Sequence, residues 1–417
     1  MKTKLFSVLL VSVLLTSVLL TSVCFSQDWP RWRGENLDDI STAENLLQEW
    51  PEGGPELAWV FKEGGLGYAG FSIVGDRLFT MGLEGEQEFG LCLNAETGKE
   101  IWRTELGSRY KNKWGDGPRS TPTVDEDRVY FMSAQGDLVC LNLGDGSKVW
   151  SQNMTEFGGT VPKWGYAESP LVDGDHVFCT PGGNDGAIVA LDKLSGEKAW
   201  QTEEVTSIAH YSSILLAEHN SKKQLVQLLH DKVVGVDRDS GDVVWQTGFL
   251  GKVAVIPSPI FSDGKVYVTA GYGVGSKLID ISAGDPVDVY QRKTMKNHHG
   301  GVILLDGNLY GYSDGEGFIC QSFESGERLW NEKRKIKKGA VSYADGRFYF
   351  IEERSGDVIL LHADSEGWSE HGRFTLSPQT ERRKPDGRIW VHPVIANGKM
   401  YVRDQEFIHC YDISAGN

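Results

Sequence analysis

The chain has 417 residues, a formal net charge of −16 and 50 glycines, and 11% of its residues are aromatic. This charge argues against nucleic acid as a partner, because phosphate recognition needs a basic surface. Abundant glycine and aromatic residues, with short apolar runs between polar turns, favour an all-β protein.

The first 26 residues have the pattern of an export signal. Two lysines precede an apolar stretch from Leu5 to Val23. We predict a signal peptide over residues 1–26, cleaved near Ser26, and a mature protein in the periplasm or cell envelope. Two alternatives stay open. The stretch is long enough for an uncleaved membrane anchor, and Cys24 could be lipidated, although Val23 stands where lipidation favours a small residue.

Residues 27–56 form a separate segment ahead of the main domain. It begins with the sequence DWPRWRG, which is too aromatic for a disordered tail. We expect this segment to pack across the domain as a cap, with Trp29 and Trp32 as anchors.

An internal repeat runs through residues 57–417. Five times, a glycine is followed four residues later by a tryptophan that ends a short apolar run. The pairs are Gly98/Trp102, Gly146/Trp150, Gly196/Trp200, Gly241/Trp245 and Gly326/Trp330. The first four tryptophans are 48, 50 and 45 residues apart, and Tyr290 fills the gap before the last one. A period in the forties built from short strands is typical of a β-propeller.

Each copy divides into four short strands, and eight copies fit the chain. The copies open at Gly70, Ser120, Ser169, Ser212, Ser258, Gly301, Ala340 and His392. The last copy ends before its fourth strand, which we predict Leu57–Lys62 supplies, so that the ring closes without an unpaired edge. The predicted fold is therefore an all-β, eight-bladed propeller of four-stranded antiparallel blades.

The repeated glycine and tryptophan have structural roles in such a fold. Glycine permits the positive φ of a tight turn, and a tryptophan on the outermost strand packs against the neighbouring blade. The runs LNAETGKEIW, LDKLSGEKAW and VDRDSGDVVW resemble the tryptophan-docking motif of the pyrroloquinoline quinone (PQQ) repeat family. The resemblance covers about residues 57–414, and the fifth and seventh copies depart from the motif.

The resemblance implies two classes of function. Quinoprotein dehydrogenases of the family bind PQQ and a calcium ion on the propeller axis and oxidise alcohols or sugars. Other members, such as the outer-membrane protein assembly lipoprotein, bind partners without a cofactor. The repeat specifies the fold alone, so function has to be inferred from other residues.

The segments that precede the first strand of each copy converge at one end of the axis and have an unusual composition. Aromatic, histidine and charged residues replace the small polar residues of ordinary loops, which favours a pocket for a flat or sugar-like ligand. The predicted ligand- or cofactor-binding residues are Trp114, Arg119, Trp164, Tyr166, Glu168, Tyr211, Asn297, His298, His299, Trp390 and His392. Structural alternatives stay open, because Arg119 and Glu168 could pair between blades and the tryptophans could brace the contact between blades.

The dehydrogenase alternative assigns more specific roles. In that case PQQ and calcium are the cofactors, and the catalytic candidates are Asp116 as base and Glu168 as calcium ligand. Asn297 would be a second calcium ligand and Arg119 a partner for a quinone oxygen. The sequence has no adjacent cysteine pair and no haem-attachment motif. We do not predict a metal site at His298 and His299, because neighbours on a strand point to opposite faces.

We therefore predict an exported, monomeric binding module that acts through its axial face. Its partner would be a small molecule, a glycan or a cell-envelope protein. A PQQ-dependent alcohol, polyol or sugar dehydrogenase is one alternative, and a cell-envelope assembly scaffold is the other.

Overall fold

The structure, a computed structural model, describes residues 27–416, so the predicted signal peptide lies outside the described residues. These residues form 32 strands and a short 3-10 helix, Met154–Phe157. The strands make eight four-stranded antiparallel sheets, which are the blades of a β-propeller. The predicted fold class is confirmed.

The strands are short, as expected from the frequent turn residues. In the first half of the chain they are β1 (Glu56–Phe61), β2 (Ser72–Val74), β3 (Arg77–Glu84), β4 (Gln87–Asn94), β5 (Glu100–Ser108), β6 (Thr123–Asp125), β7 (Arg128–Met132), β8 (Asp137–Asn142), β9 (Lys148–Asn153), β10 (Leu171–Asp173), β11 (His176–Cys179), β12 (Val189–Asp192), β13 (Lys198–Gln201), β14 (Leu215–His219), β15 (Lys222–Leu228), β16 (Lys232–Asp237) and β17 (Val243–Gly248). In the second half they are β18 (Ile260–Ser262), β19 (Lys265–Ala270), β20 (Gly275–Asp280), β21 (Val287–Arg292), β22 (Val302–Leu305), β23 (Asn308–Ser313), β24 (Gly317–Ser322), β25 (Arg328–Glu332), β26 (Gly339–Ala344), β27 (Arg347–Glu352), β28 (Asp357–Ala363), β29 (Trp368–Thr375), β30 (Val394–Ala396), β31 (Lys399–Asp404) and β32 (Phe407–Asp412).

Blades 1 to 7 are each built from four consecutive strands, from β2–β5 to β26–β29, and the eighth blade closes the ring. Its strand order is β30, β31, β32 and β1. Strand β1 pairs antiparallel with β32, with Glu56 opposite Asp412 and Phe61 opposite Ile408. The predicted closing strand is thus confirmed, one residue from its predicted bounds.

The repeated glycine lies directly beneath the aromatic ring of the preceding blade. The Trp102 indole donates to the Leu143 carbonyl at 3.2 Å, and its ring covers Gly146 in the same turn of blade 2. Gly146 has a φ of +70°, and a Cβ there would lie 2.6 Å from the ring. Glycine is therefore required for two reasons, its positive φ and the close approach of the ring. The sequence indicated only the positive φ.

The apolar faces of neighbouring blades pack together into the core. Four cysteines at equivalent strand positions, Cys92, Cys140, Cys320 and Cys410, are fully buried there as free thiols. This confirms the prediction that they are small buried hydrophobic residues rather than disulfide partners.

The segment ahead of β1 runs across the propeller axis. Trp29 exchanges backbone hydrogen bonds with Ile73 of β2, and the Pro30 carbonyl accepts from Val124 of β6. On the far side of the axis, Asp39 accepts from Tyr343 of β26. These partners belong to innermost strands of three blades, so the segment fills the channel between them.

Candidate functional site on the front face

Antiparallel strands place the loops of each blade alternately at two ends of the propeller. We call one end the front face. It carries the loops that lead into each innermost strand and the loops between second and third strands. The rear face carries the turns between first and second strands and between third and fourth strands, including the turns with the repeated glycines. All predicted site residues belong to the segments that lead to the front face.

Aromatic and histidine rings contact one another across blades on the front face. The His299 ring centroid is 4.8 Å from that of His298 and 5.8 Å from that of Trp390. Trp390 continues to Tyr68 at 4.9 Å, and His298 continues to Tyr272 at 4.7 Å. Five rings from blades 1, 5, 6 and 8 therefore form one continuous row.

A second group of rings lies in front of blades 2 to 4. Trp164 and Tyr211 make an edge contact, with ring centroids 5.8 Å apart. The Lys163 ammonium lies 4.8 Å from the Trp164 ring, and Lys113 lies 4.8 Å from the Trp114 ring. These two lysine–tryptophan pairs occupy equivalent loops of neighbouring blades.

The two adjacent histidines lie in the loop between β21 and β22, so the argument that they point to opposite faces of a strand is wrong. Lys338 contacts the His298 Nδ1 at 2.8 Å, and the Glu353 carboxylate contacts the His299 Nε2 at 2.8 Å. Burial lowers the pKa of His298 to about 2 and holds the pKa of His299 below its ordinary value. Both imidazoles are therefore neutral at pH 7.

Glu168 is buried and faces its own blade and blade 4. Its carboxylate accepts hydrogen bonds from the Thr180 amide at 2.6 Å and the Thr180 hydroxyl at 2.9 Å. Burial raises the pKa of Glu168 to about 8. No ion pair joins it to Arg119 within residues 27–416, so the expected alternative of a pairing between blades does not form.

Asp116 and Asn297 are engaged within the loops. Asp116 is held by Arg109 and Lys384, each at 2.5 Å. Burial alone would raise the pKa of Asp116, but the hydrogen bonds from these two cations hold it below its usual range. The Asn297 amide donates to the Gly301 carbonyl at 2.9 Å, and its buried Oδ1 has no hydrogen-bond partner within the described part of the chain.

Two predicted residues face the interior. Tyr166 is fully buried between blades 2 and 3, and its hydroxyl donates to the Pro181 carbonyl at 3.0 Å. His392 faces the axial segment, with its ring 4.6 Å from that of Trp32 and its Nδ1 3.2 Å from the Asp39 carboxylate. Tyr166 and His392 are therefore buried beneath the front loops and are not exposed at the surface of the site.

The described residues do not fit a calcium ion beside a quinone. The Glu168 oxygens already accept hydrogen bonds, and the Asp116 oxygens are paired with two cations. Within residues 27–416, no group of three or more histidine, cysteine or acidic side chains is placed to hold a metal. Calcium needs several free oxygen ligands, which this donor set does not offer.

Sequence reasoning missed a group of exposed apolar residues on the front loops of blades 4 and 5. Leu250 is 70% exposed, Ile208 58%, Val253 40% and Tyr272 37%. It also missed Tyr68, which lies in the segment before the first strand of the first copy, just as the predicted site residues lie before the first strands of later copies. Residues between second and third strands, such as Tyr272, were passed over because only segments before first strands were considered.

A cavity of about 700 Å³ lies at the rear, between the axial segment and blades 1 to 5. None of the predicted site residues lines it. Its walls include Pro30, Arg31, Leu37, Val124, Asp173 and Phe261. Among residues 27–416, no helix is long and apolar enough to cross a membrane.

The closed ring of eight four-stranded blades, with its repeated glycine–tryptophan contacts, defines a propeller of the PQQ-like repeat class. A family profile described as "Outer membrane protein assembly factor BamB" matches residues 87–332, and the chain belongs to this family of PQQ-like β-propellers. The curated BamB of Salmonella typhimurium is 23% identical over 342 residues, which are 78% of this chain and 80% of that protein.

Two solved structures show the same fold at low identity. BamB from Moraxella catarrhalis has a TM-score of 0.61 at 14% identity, over 86% of this chain and all of that one. Quinohemoprotein alcohol dehydrogenase from Comamonas testosteroni has a TM-score of 0.65 at 11% identity, over 94% of this chain and 81% of that one. The fold is therefore common to an outer membrane protein assembly factor and an alcohol dehydrogenase, and it does not choose between these functions for this chain.

Proposed function

We propose that this protein acts outside the cytoplasm as a binding module that docks a cell-envelope protein on its front face. The observation that carries the proposal is the group of exposed apolar side chains in front of blades 4 and 5, namely Ile208, Leu250, Val253 and Tyr272. Large apolar side chains that are exposed on one face of a folded domain are typical of protein-binding surfaces.

The loops that present these side chains are held in place. The Val255 amide donates to the His210 Nδ1 at 3.1 Å, and the Tyr211 amide donates to the Val255 carbonyl at 3.0 Å. The Gly251 amide donates to the His230 carbonyl at 2.7 Å. Because the surface is ordered before binding, a partner would not bear the entropy cost of arranging it.

The relatives support this class of partner. BamB proteins are named for outer membrane protein assembly, which is work done on other proteins of the envelope. The proposed location depends also on the predicted export signal in residues 1–26.

The dehydrogenase alternative has less support from the site. Its candidate base, Asp116, is held by two cations that lower its pKa, so it is a weak proton acceptor. Its candidate calcium ligand, Glu168, is buried and satisfied by protein donors. We derive no catalytic step for this protein.

The proposal is tested by Leu250→Asp in cells of the native organism, with chemical cross-linking before extraction. We expect the parent protein to give a discrete adduct with an envelope protein, and the variant to lose it at an unchanged cellular level. The matched control is Leu194→Asp, since Leu194 is 58% exposed in a rear turn. Equal loss of the cross-linked adduct in both variants would contradict docking at the front face, and so would an adduct that persists in L250D.

A further inference from the structure

Arg119 is a cation on the front face for which the described residues provide no carboxylate partner. Its Nη2 donates to the Gly115 carbonyl at 2.8 Å. The guanidinium carbon lies 5.2 Å from the Tyr110 ring centroid and 5.8 Å from that of Tyr68. Its Nη1 is buried and has no hydrogen-bond partner among residues 27–416. An unpaired charge in such surroundings is unfavourable, so a ligand that neutralises it would gain free energy.

The nearby acids cannot serve as that partner. Asp116 is shared by Arg109 and Lys384, and Asp404 is paired with Arg383 at 2.6 Å. Glu88 is fully buried and accepts from the Ala134 amide at 2.9 Å, and burial raises its pKa to about 7. The charge of this carboxyl acts on Arg119, but no hydrogen bond or ion pair joins the two side chains among residues 27–416.

Other positive groups gather at the same place. The loop of residues 376–393 crosses from blade 7 towards blade 2, where Lys384 donates to the Asn112 carbonyl at 2.7 Å. Gly387 of this loop lies against the Trp114 carbonyl and the Tyr68 hydroxyl. Lys113 is exposed beside Trp114. Of these two lysines, Lys384 is already paired with Asp116, whereas Lys113 is exposed on the same face as Arg119.

We infer that Arg119 and the Tyr68 and Tyr110 rings form a binding site for a carboxylate group. A guanidinium and a carboxylate match as planar groups and can share two hydrogen bonds, and Arg119 is half-buried beside the two rings. The site lies in front of blades 1 and 2, away from the apolar group in front of blades 4 and 5. It does not depend on the proposed docking of an envelope protein.

The test is thermal unfolding of the mature protein in sodium acetate, compared with sodium chloride at equal ionic strength and pH. Acetate should raise the Tm in a saturable manner, because a ligand that binds only the folded state stabilises it. Arg119→Gln should abolish this increase. The control Arg77→Gln should retain it, since Arg77 is also half-buried and donates to backbone carbonyls, but at the rear.

The Tm of R119Q in chloride is a second readout, which distinguishes a binding arginine from a purely structural one. In chloride, R119Q should unfold at or above the temperature of the parent, because it removes an uncompensated charge. If R119Q does not fold, Arg119 is a structural residue and the inference is wrong. Arg119→Lys keeps the charge without the planar fork, and it should weaken acetate binding about tenfold or more.

Two further probes identify the source of the carboxylate. A free acid and an aspartate side chain of a bound protein share this chemistry, so acetate is compared with N-acetyl-aspartyl amide. Stronger stabilisation by acetate indicates a free acid, and stronger stabilisation by the blocked aspartate indicates a protein side chain. No increase with either probe, or an equal increase with phosphate, would overturn a carboxylate site.

Discussion

The two ends of this propeller use tryptophan in different ways. At the rear, Trp150 is 9% exposed, lies on Gly196 of the next blade and donates to the Lys193 carbonyl at 3.0 Å. At the front, Trp164 is half-buried, makes an edge contact with Tyr211 and is flanked by Lys163. The rear arrangement recurs around the ring, whereas most of the front arrangement does not. Repetition therefore marks residues that build the fold, and departures from it mark residues available for binding.

The largest expected effect is the loss of a rear tryptophan. Trp150→Ala should lower the free energy of unfolding by about 3 to 5 kcal/mol, because it removes a large buried ring and leaves a cavity. Trp164→Ala at the front should cost about 1 to 2 kcal/mol, since much of that ring is already in solvent. Urea unfolding of both variants measures the difference, and equal losses would break the comparison between the two ends.

The glycine beneath a rear tryptophan should show the next largest effect. Gly196→Ala forces a Cβ to within 2.7 Å of the Trp150 ring at a φ of +76°. We expect a loss of about 2 to 4 kcal/mol from overpacking and backbone strain together. Gly346→Ala is the matched control, because Gly346 has a φ of +77° and nothing within 4 Å. It should cost about 1 kcal/mol, and a loss equal to that of G196A would mean that the ring contact is unimportant.

The front histidines should make stability depend on pH. Burial lowers the pKa of His210 to about 4, so its folded form stays neutral where the unfolded chain takes up a proton. Stability from this group is therefore lost as the pH falls from about 6.5 towards 4. His210→Asn keeps an acceptor for the Val255 amide without titrating. Between pH 7 and pH 5 these pKa values correspond to a loss of about 2 kcal/mol relative to this variant, and we expect about 1 kcal/mol because His210 is partly exposed to solvent.

Titrating groups that do not interact with position 210 contribute equally to parent and variant and cancel in that difference. His230 is an exception, because its ring lies 4.5 Å from that of His210 and its charge acts on His210. Urea unfolding at the two pH values provides the measurement. A difference that stays constant with pH would show that His210 does not titrate in this range.

The fold could be predicted almost entirely from the sequence, because the period of the repeat counts the blades. In the second blade, the sequence pattern predicts strands over Ser120–Asp125 and Lys148–Met154, and the structure has Thr123–Asp125 and Lys148–Asn153. The residues missing from the first strand, 120–122, belong to the front loop, where the Thr121 amide donates to the Ser169 hydroxyl of the next blade at 2.9 Å. Strand ends are the least determined by local pattern.

The candidate site could be predicted in part. The leading segments do converge on one end, and His298, His299 and Trp390 do meet there. Their partners could not be predicted, because contacts such as Glu353 with His299 join loops of different blades that no repeat relates. The pairing of Arg33 with Asp39 in the axial segment was hidden for the same reason: neither residue belongs to the repeat.

We propose that the front face is the end of the propeller that binds a partner. The most direct test places a photo-reactive amino acid at position 250 or 253 on the front face, or at position 194 at the rear, and irradiates living cells of the native organism. We expect a discrete adduct with an envelope protein from each of the two front positions and no adduct from the rear position. Adducts from position 194 alone, or none from any position, would contradict it.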